Sequence, residues 1–398
     1  MKYDFITIPD RYGNDALALD GLGKGWAPPA PKEGFDAIPM WVADMNFATV
    51  PTVTEAIVER AKHTTYGYFN TREEYYDSII RWQSVRNGMS PKKEDIAYQN
   101  GVLGGLLSAV RVLCSAGEKI LIHSPTYIGF TNSLCDNGYH LVHSKLVKDA
   151  CGVYRMNLAD MEQKIVENSI HTAIFCSPHN PTGRVWEKDE IEAAMALFKK
   201  HDVYVISDEI WSDIVLNGHC HVPTQSVSDD AKMRTVAFYA PSKTFNLAGL
   251  IGAYQIVYNP RLRDRINRES ALTHYNNINV LSMHALIGAY KDEGYEWVDE
   301  LCATISENIN FACEYIDKHF SGVEVTKPEG TYMLFLDCEK WLAENSMTMD
   351  ALLSRGWDVG VVWQDGRPFG GNTHIRMNLA LPLHKVKEAF ERLREYVF

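Results

Sequence analysis

From Asp95 to Tyr258 the chain repeats one pattern: a short run of β-branched and aromatic residues, a longer stretch with helical spacing, then another short run. DIAYQ, KILIHS, YHLVHS, HTAIFCS, VYVIS, TVAFYA and GAYQIVY are the strand candidates. Strands joined by helices rejoin a sheet as parallel neighbours, so the alternation predicts an α/β fold: a mainly parallel seven-stranded sheet flanked by helices. Seven strands are too many for two small independent sheets, which places one large domain over residues 50–285. Residues 1–49 then form an N-terminal arm and part of a small domain, and 286–398 a smaller α+β domain. In that last part, residues 295–319 carry Leu301, Ile305, Ile309, Ala312 and Ile316 at helical spacing, and VEVT, TYMLFLD, WDVGVV and HIRMNLA are strand candidates. Ahead of the sheet, Pro51 opens a helix. A second starts at Thr71, where T-R-E-E predicts a capping box, with Ile79, Trp82 and Val85 facing inward.

Composition narrows the function classes. Thirty-nine Lys and Arg against 51 Asp and Glu leave a net charge of −12, a surface that repels nucleic acid and anionic membranes on average. Small anions remain accessible through local cations. The eight cysteines include no C-x-x-C pair, and several lie in apolar runs, so they are expected to be reduced, buried thiols of a cytoplasmic protein. The polar start MKYDFITIPDRYGND and the absence of a long uncharged apolar segment give no sign of a leader or a membrane span.

Several motifs have an ordinary structural meaning. GLGKG at Gly21 has no preceding strand and reads as a loop, and His219-Cys220-His221 lacks further ligands at metal spacing, so no metal is expected. QNGVLGGLLSAVRVL says more: a strand runs through glycines straight into a helix, whose first amides suit a phosphate, although Gly101, Gly104 and Gly105 equally suit tight strand–helix packing. Asn180 in CSPHNPTGRVW follows a strand and is consistent with a turn. Asp208 closes the apolar strand VYVIS, where a carboxylate is costly unless it meets a cation or caps the next turn. Lys243 sits in APSKTFNLAGL, a setting in which an amine loses its proton more readily than at the surface and can attack an aldehyde.

Taken together and in this order, with Asn180, Asp208 and Lys243 spaced 28 and 35 residues apart, these features resemble the fold-type I pyridoxal 5′-phosphate (PLP) enzymes, the aspartate aminotransferase superfamily. MWVADMNF, YGYFN, CSPHNPTGRVW, ISDEIWSD and APSKTFNLAGL resemble its MalY/PatB-type cystathionine β-lyase (carbon–sulfur lyase) branch, over essentially the whole chain. The resemblance implies that Lys243 attaches the cofactor covalently and then moves the substrate Cα proton. It also implies that Asp208 pairs with the ring nitrogen, that Asn180 donates to the ring's phenolic oxygen, and that Tyr127 stacks on the ring. For the phosphate it implies the amides of Val102 and Leu103, the Ser242 hydroxyl, and Tyr66 reaching across a homodimer with shared active sites. Arg376 in HIRMNLA matches the arginine that grips the substrate α-carboxylate in a two-pronged bond.

Departures from the branch bear on specificity. Trp211 stands where His or Tyr is usual, and an indole N–H donates without accepting. Ala240 and Ile251 replace the usual phosphate-binding Ser and Arg, Asn46 replaces an Asp, and Ala18-Leu19 replaces a lysine–tryptophan pair. The resemblance implies a β-lyase acting on L-cystathionine or other L-cysteine S-conjugates. An aminotransferase is the alternative, because both reactions begin by removing the same proton, and a PLP-retaining regulatory protein is a third reading.

Overall fold

The computed structural model describes every residue except Thr273 and Tyr275, and the chain divides into two compact units. One comprises 49–180 and 184–299, the other 1–48, 181–183 and 300–398. The chain passes between them along the helix Asp292–His319.

The first unit is built on seven strands: β1 Ile96–Gln99, β2 Lys119–Ser124, β3 His140–Lys145, β4 Thr172–Cys176, β5 Tyr204–Asp208, β6 Thr235–Tyr239 and β7 Ala253–Ile256. Every strand expected from the sequence is present. They pair in the order β1-β7-β6-β5-β4-β2-β3, parallel throughout except for β7, which is antiparallel to both β1 and β6. Because β7 is reversed, β1 points the same way as β6, and the carboxyl ends of six strands lie along one edge.

Strand periodicity assigns the two cores. Ile120, Ile122, Ile174, Cys176 and Ile206 pack on one face with Leu106, Ala109 and Val110. The residues between them, Leu121, Ala173, Phe175 and Val205, pack on the other with Ile165, Ile191, Met195 and Phe198. Each apolar side chain so buried contributes about 1.5–3 kcal/mol, which explains why β4 and β6 are apolar on both faces rather than alternating.

Of the leading helices, α1 spans Pro51–Lys62 as expected from its proline, and α2 spans Glu73–Asn87. The capping box at Thr71 does not form. Arg72 is the N-cap without a side-chain bond, and Glu74 turns back to Arg72 at 3.4 Å, because an adjacent cation competes with the orphan amide. Val85 is exposed; Ile79, Trp82 and Gln83 make the inner face instead. None of the cysteines forms a disulfide, but Cys135, Cys151 and Cys220 are exposed, since they fall at helix ends and turns rather than in the apolar runs.

In the second unit Glu324–Val325, Met333–Asp337, His374–Asn378 and Gln364–Asp365 form an antiparallel sheet in that order. WDVGVV divides: Trp357 and Asp358 close the helix Met349–Asp358, and only Val361–Val362 is strand, pairing in parallel with Ile38–Pro39. Gly356, in the last turn of that helix, packs against Trp363, where a Cβ would come within 2.3 Å of the indole. No helix among the described residues is long and apolar enough to cross a membrane.

Candidate active site

Parallel strands deliver their following loops to one edge, and ligands of open α/β sheets bind there. Five of the six aligned strands end in a residue singled out from the sequence. β1 runs through Gly101 into α3, Val102–Leu113; β2 leads to Tyr127; β4 leads to Asn180; β5 ends in Asp208; β6 leads to α4, Pro241–Thr244, which carries Ser242 and Lys243.

At the first position Gly101 adopts φ +82°, a left-handed conformation that turns the strand into the helix without steric cost. It supplies no side-chain cap, and the first turn of α3 contains no acid, so the amides of Val102 and Leu103 head an anion-compatible helix start. Asn276 fixes the approach: its Oδ1 accepts from the Asn100 amide at 2.7 Å and its Nδ2 donates to the Tyr98 carbonyl at 3.1 Å. Gly105 serves the other role foreseen for these glycines, since a Cβ there would lie 2.5 Å from the Phe238 ring.

At the centre Asp208 is buried, and its Oδ1 accepts from the Ile210 amide at 3.0 Å. Burial pushes its carboxyl up to about 7, against the pull of that amide and of the nearby Lys243 charge. The Lys243 ammonium lies 5.7 Å from the Trp211 ring centroid, and Trp211 itself is buried. Glu209 beside it is held below the ordinary glutamate range. Burial opposes this, but Oε2 accepts from His221 at 2.9 Å and Tyr239 at 2.7 Å, and Oε1 from Ser207 at 2.9 Å and the Thr224 amide at 3.0 Å. His221 is therefore engaged on a carboxylate within the fold.

Asn180 is buried at the end of a loop that His179 anchors. The His179 amide donates to the Arg184 carbonyl at 2.8 Å, and its ring donates to the Pro125 carbonyl, linking the loop of Asn180 to that of Tyr127. His123 and His179 pack edge-on at 6.4 Å around Trp186, and burial lowers them to about 4 and about 3. Tyr127 packs edge-on against Phe130 at 5.3 Å. Tyr66 is exposed, donating to the Ala61 carbonyl at 3.2 Å with Arg60 over its ring.

Arg376 belongs to the second unit. It is buried on the strand His374–Asn378, where its Nη2 donates to Gln364 at 2.5 Å and to the Trp41 carbonyl at 3.3 Å, and its guanidinium lies 4.4 Å from the Phe369 ring. Sequence reasoning missed Glu209, Asp213, His179 and Asn276. The first two were legible as extra acids in the apolar ISDEIWSD; the amide of Asn276 acts on a strand 178 residues earlier, which no local pattern announces.

The Aminotransferase class I and II family matches residues 37–393. The chain belongs to this family. It is 32% identical to cystathionine β-lyase PatB of Bacillus subtilis over 98% of this chain and 99% of that protein. The PLP-bound C–S lyase of Staphylococcus hominis superposes with a TM-score of 0.90 at 30% identity, covering 100% of this chain and 98% of the other. Cystalysin of Treponema denticola, which contains PLP, superposes with a TM-score of 0.90 at 27% identity, over 99% and 98% of the two chains. PLP is the cofactor of this family. The donor set along this edge fits it: helix amides with a serine hydroxyl for a phosphate, a buried carboxylate for a ring nitrogen, an amide side chain for a phenolic oxygen and a lysine for an aldehyde.

Proposed function

We propose that the protein is a PLP-dependent carbon–sulfur β-lyase that eliminates a thiol from an L-cysteine S-conjugate, the remaining three-carbon fragment taking up water to give pyruvate and ammonia. The observation that carries this reading is likeness along the whole chain to cystathionine β-lyase PatB.

The chemistry the bound cofactor supplies is an electron-withdrawing ring conjugated to the substrate Cα. The chain's own groups do the rest. Lys243 holds the cofactor and then takes the Cα proton at Nζ; positioned proton transfer of this kind contributes roughly 10²–10⁴-fold. Asp208, buried at the end of β5, would pair with the ring nitrogen. At about 4 Å and an effective dielectric near 20, its attraction for a ring cation would be on the order of 4 kcal/mol, enough to favour the protonated nitrogen. The amides of Val102 and Leu103 with Ser242 would hold the phosphate, Asn180 would orient the ring, Tyr127 would cover it, and Arg376 would take the substrate carboxylate. Trp211 supplies an indole donor near Lys243.

We also propose a cytoplasmic homodimer in which Tyr66 serves the neighbouring site. Exposed Tyr66, Tyr68 and Phe69, together with eight cysteines that form no disulfide, support this.

The aminotransferase reading is favoured by the family's own description, and one assay separates the two. Purified protein with L-cystathionine and no keto acid is expected to release pyruvate and free thiol in equal amounts. Turnover that appears only when a 2-oxo acid is supplied means transamination, and silence in both with the cofactor visibly bound means a non-catalytic role.

A further inference from the structure

Lys243 stands on α4, a helix of only four residues. A single turn has no stability of its own, because its nucleation is unfavourable and it closes almost no internal bonds. The rotation of this turn, and with it the direction in which the lysine side chain leaves the backbone, depends on the residues packed on either side of it.

The next residue, Thr244, is fully buried, and its hydroxyl donates to Asp213 Oδ2 at 2.8 Å. The other oxygen of Asp213 accepts from the Trp82 indole at 3.0 Å, and the Arg86 guanidinium approaches that same oxygen at 4.0 Å. Trp82 and Arg86 both belong to α2, so Asp213 joins α2 to the lysine turn. Phe245 follows Thr244 into an aromatic cluster, lying 5.6 Å from Trp82 and stacked on Trp297 at 5.5 Å. Trp82 in turn stacks on Tyr290 at 4.3 Å with an interplanar angle of 8°. Asp213 is buried, so the protein bears the cost of a desolvated carboxyl at this point. A Thr–Ala or Thr–Val contact would fill the same space without that cost. What the carboxyl adds is direction: two hydrogen bonds fix the rotamer of Asp213 and, through it, the rotation of the one-turn helix.

We propose that Asp213 is a positioning residue for Lys243, acting through the Thr244 hydroxyl to set the direction from which the lysine amine meets the cofactor aldehyde and the substrate Cα. The inference rests on the assignment of Lys243 as the cofactor lysine, and adds to it the pair Asp213–Thr244, which touches neither cofactor nor substrate.

The test compares Thr244→Val and Thr244→Ser with wild type, all as holoenzyme. The first readout needs no substrate: the pH at which the visible absorption of the bound cofactor changes, which reports the environment of the lysine nitrogen. The second is the split between kcat and KM for thiol release from L-cystathionine. Thr244→Val is expected to move the spectral midpoint and to lower kcat about ten- to a hundredfold with KM within about threefold, the loss of one hydrogen bond to a charged acceptor. Thr244→Ser, which keeps the hydroxyl, is expected to restore both. Asp213→Asn provides an independent check, because its amide can accept from only one of the two donors, and it should fall between wild type and Thr244→Val. A Thr244→Val enzyme that loses melting temperature while its spectral midpoint and kcat stay those of wild type would overturn the proposal, as would failure of serine to rescue. Should wild type release no pyruvate while Thr244→Val still shifts the spectral midpoint, the lyase reading falls and the positioning role stands.

Discussion

Asp208 and Glu209 are consecutive and equally enclosed, yet their carboxyl groups are held on opposite sides of the ordinary acid range. Burial lifts Asp208 to about 7, whereas four donors hold Glu209 below its usual value despite the same burial. The pair shows one strand end supplying both a fixed anion and a carboxyl poised to change its proton.

The first prediction follows from Asp208. An unfolded aspartate titrates near 3.8 and the folded one near 7, so between these values the folded cofactor-free protein keeps a proton that the unfolded chain has lost. Raising pH through this window therefore costs stability, and the cost is complete above about pH 7. Asp208→Asn removes it. Urea unfolding of the cofactor-free variant should match wild type near pH 4 and exceed it at pH 8, by on the order of 4 kcal/mol at most. Equal midpoints at pH 8 would refute the assignment.

Glu209 gives the opposite expectation. Glu209→Gln puts an amide N–H among donors and leaves His221 and Tyr239 short of an acceptor. The loss should be about 3–5 kcal/mol, read as a lower urea midpoint at pH 7 with an unchanged denaturant slope.

His123 and His179 predict an acid limb. Both stay neutral in the fold, near 4 and 3, while unfolded histidines titrate near 6.5. Their contribution is present above pH 6.5 and is lost as pH falls below it, at about 1.4 kcal/mol per pH unit for each ring. His123→Phe, whose neighbours Phe175 and Trp186 lie about 6 Å away, should flatten this limb by about half between pH 6 and pH 4.5.

Lys243 is half-buried on its turn, so Lys243→Ala should leave stability within about 1 kcal/mol while lowering pyruvate release by at least about 10²-fold. Residual release above that level, measured with L-cystathionine, would show that another group takes the proton.

The large sheet was legible because its strands are apolar on both faces and separated by helix-length segments, a pattern that survives without knowledge of pairing. The reversal of β7 was not legible, since an apolar run such as GAYQIVY has the same composition in either direction. WDVGVV misled because Trp357 and Val359 satisfy strand spacing, while Trp357 and Asp358 in fact close the helix Met349–Asp358. Lys243, Asp208 and Asn180 stood out as chemistry at strand ends. Asn276 did not, because its work is done on backbone distant in sequence.

The reversed strand β7 has one further consequence. It lies between β1, which leads to the helix amides, and β6, which leads to the lysine, so these two supports stand two strand spacings apart, roughly 10 Å, rather than one. A ligand with an anionic end and a reactive end is thus supported at both extremities by different strands, and lengthening or trimming either loop alters one grip without disturbing the other.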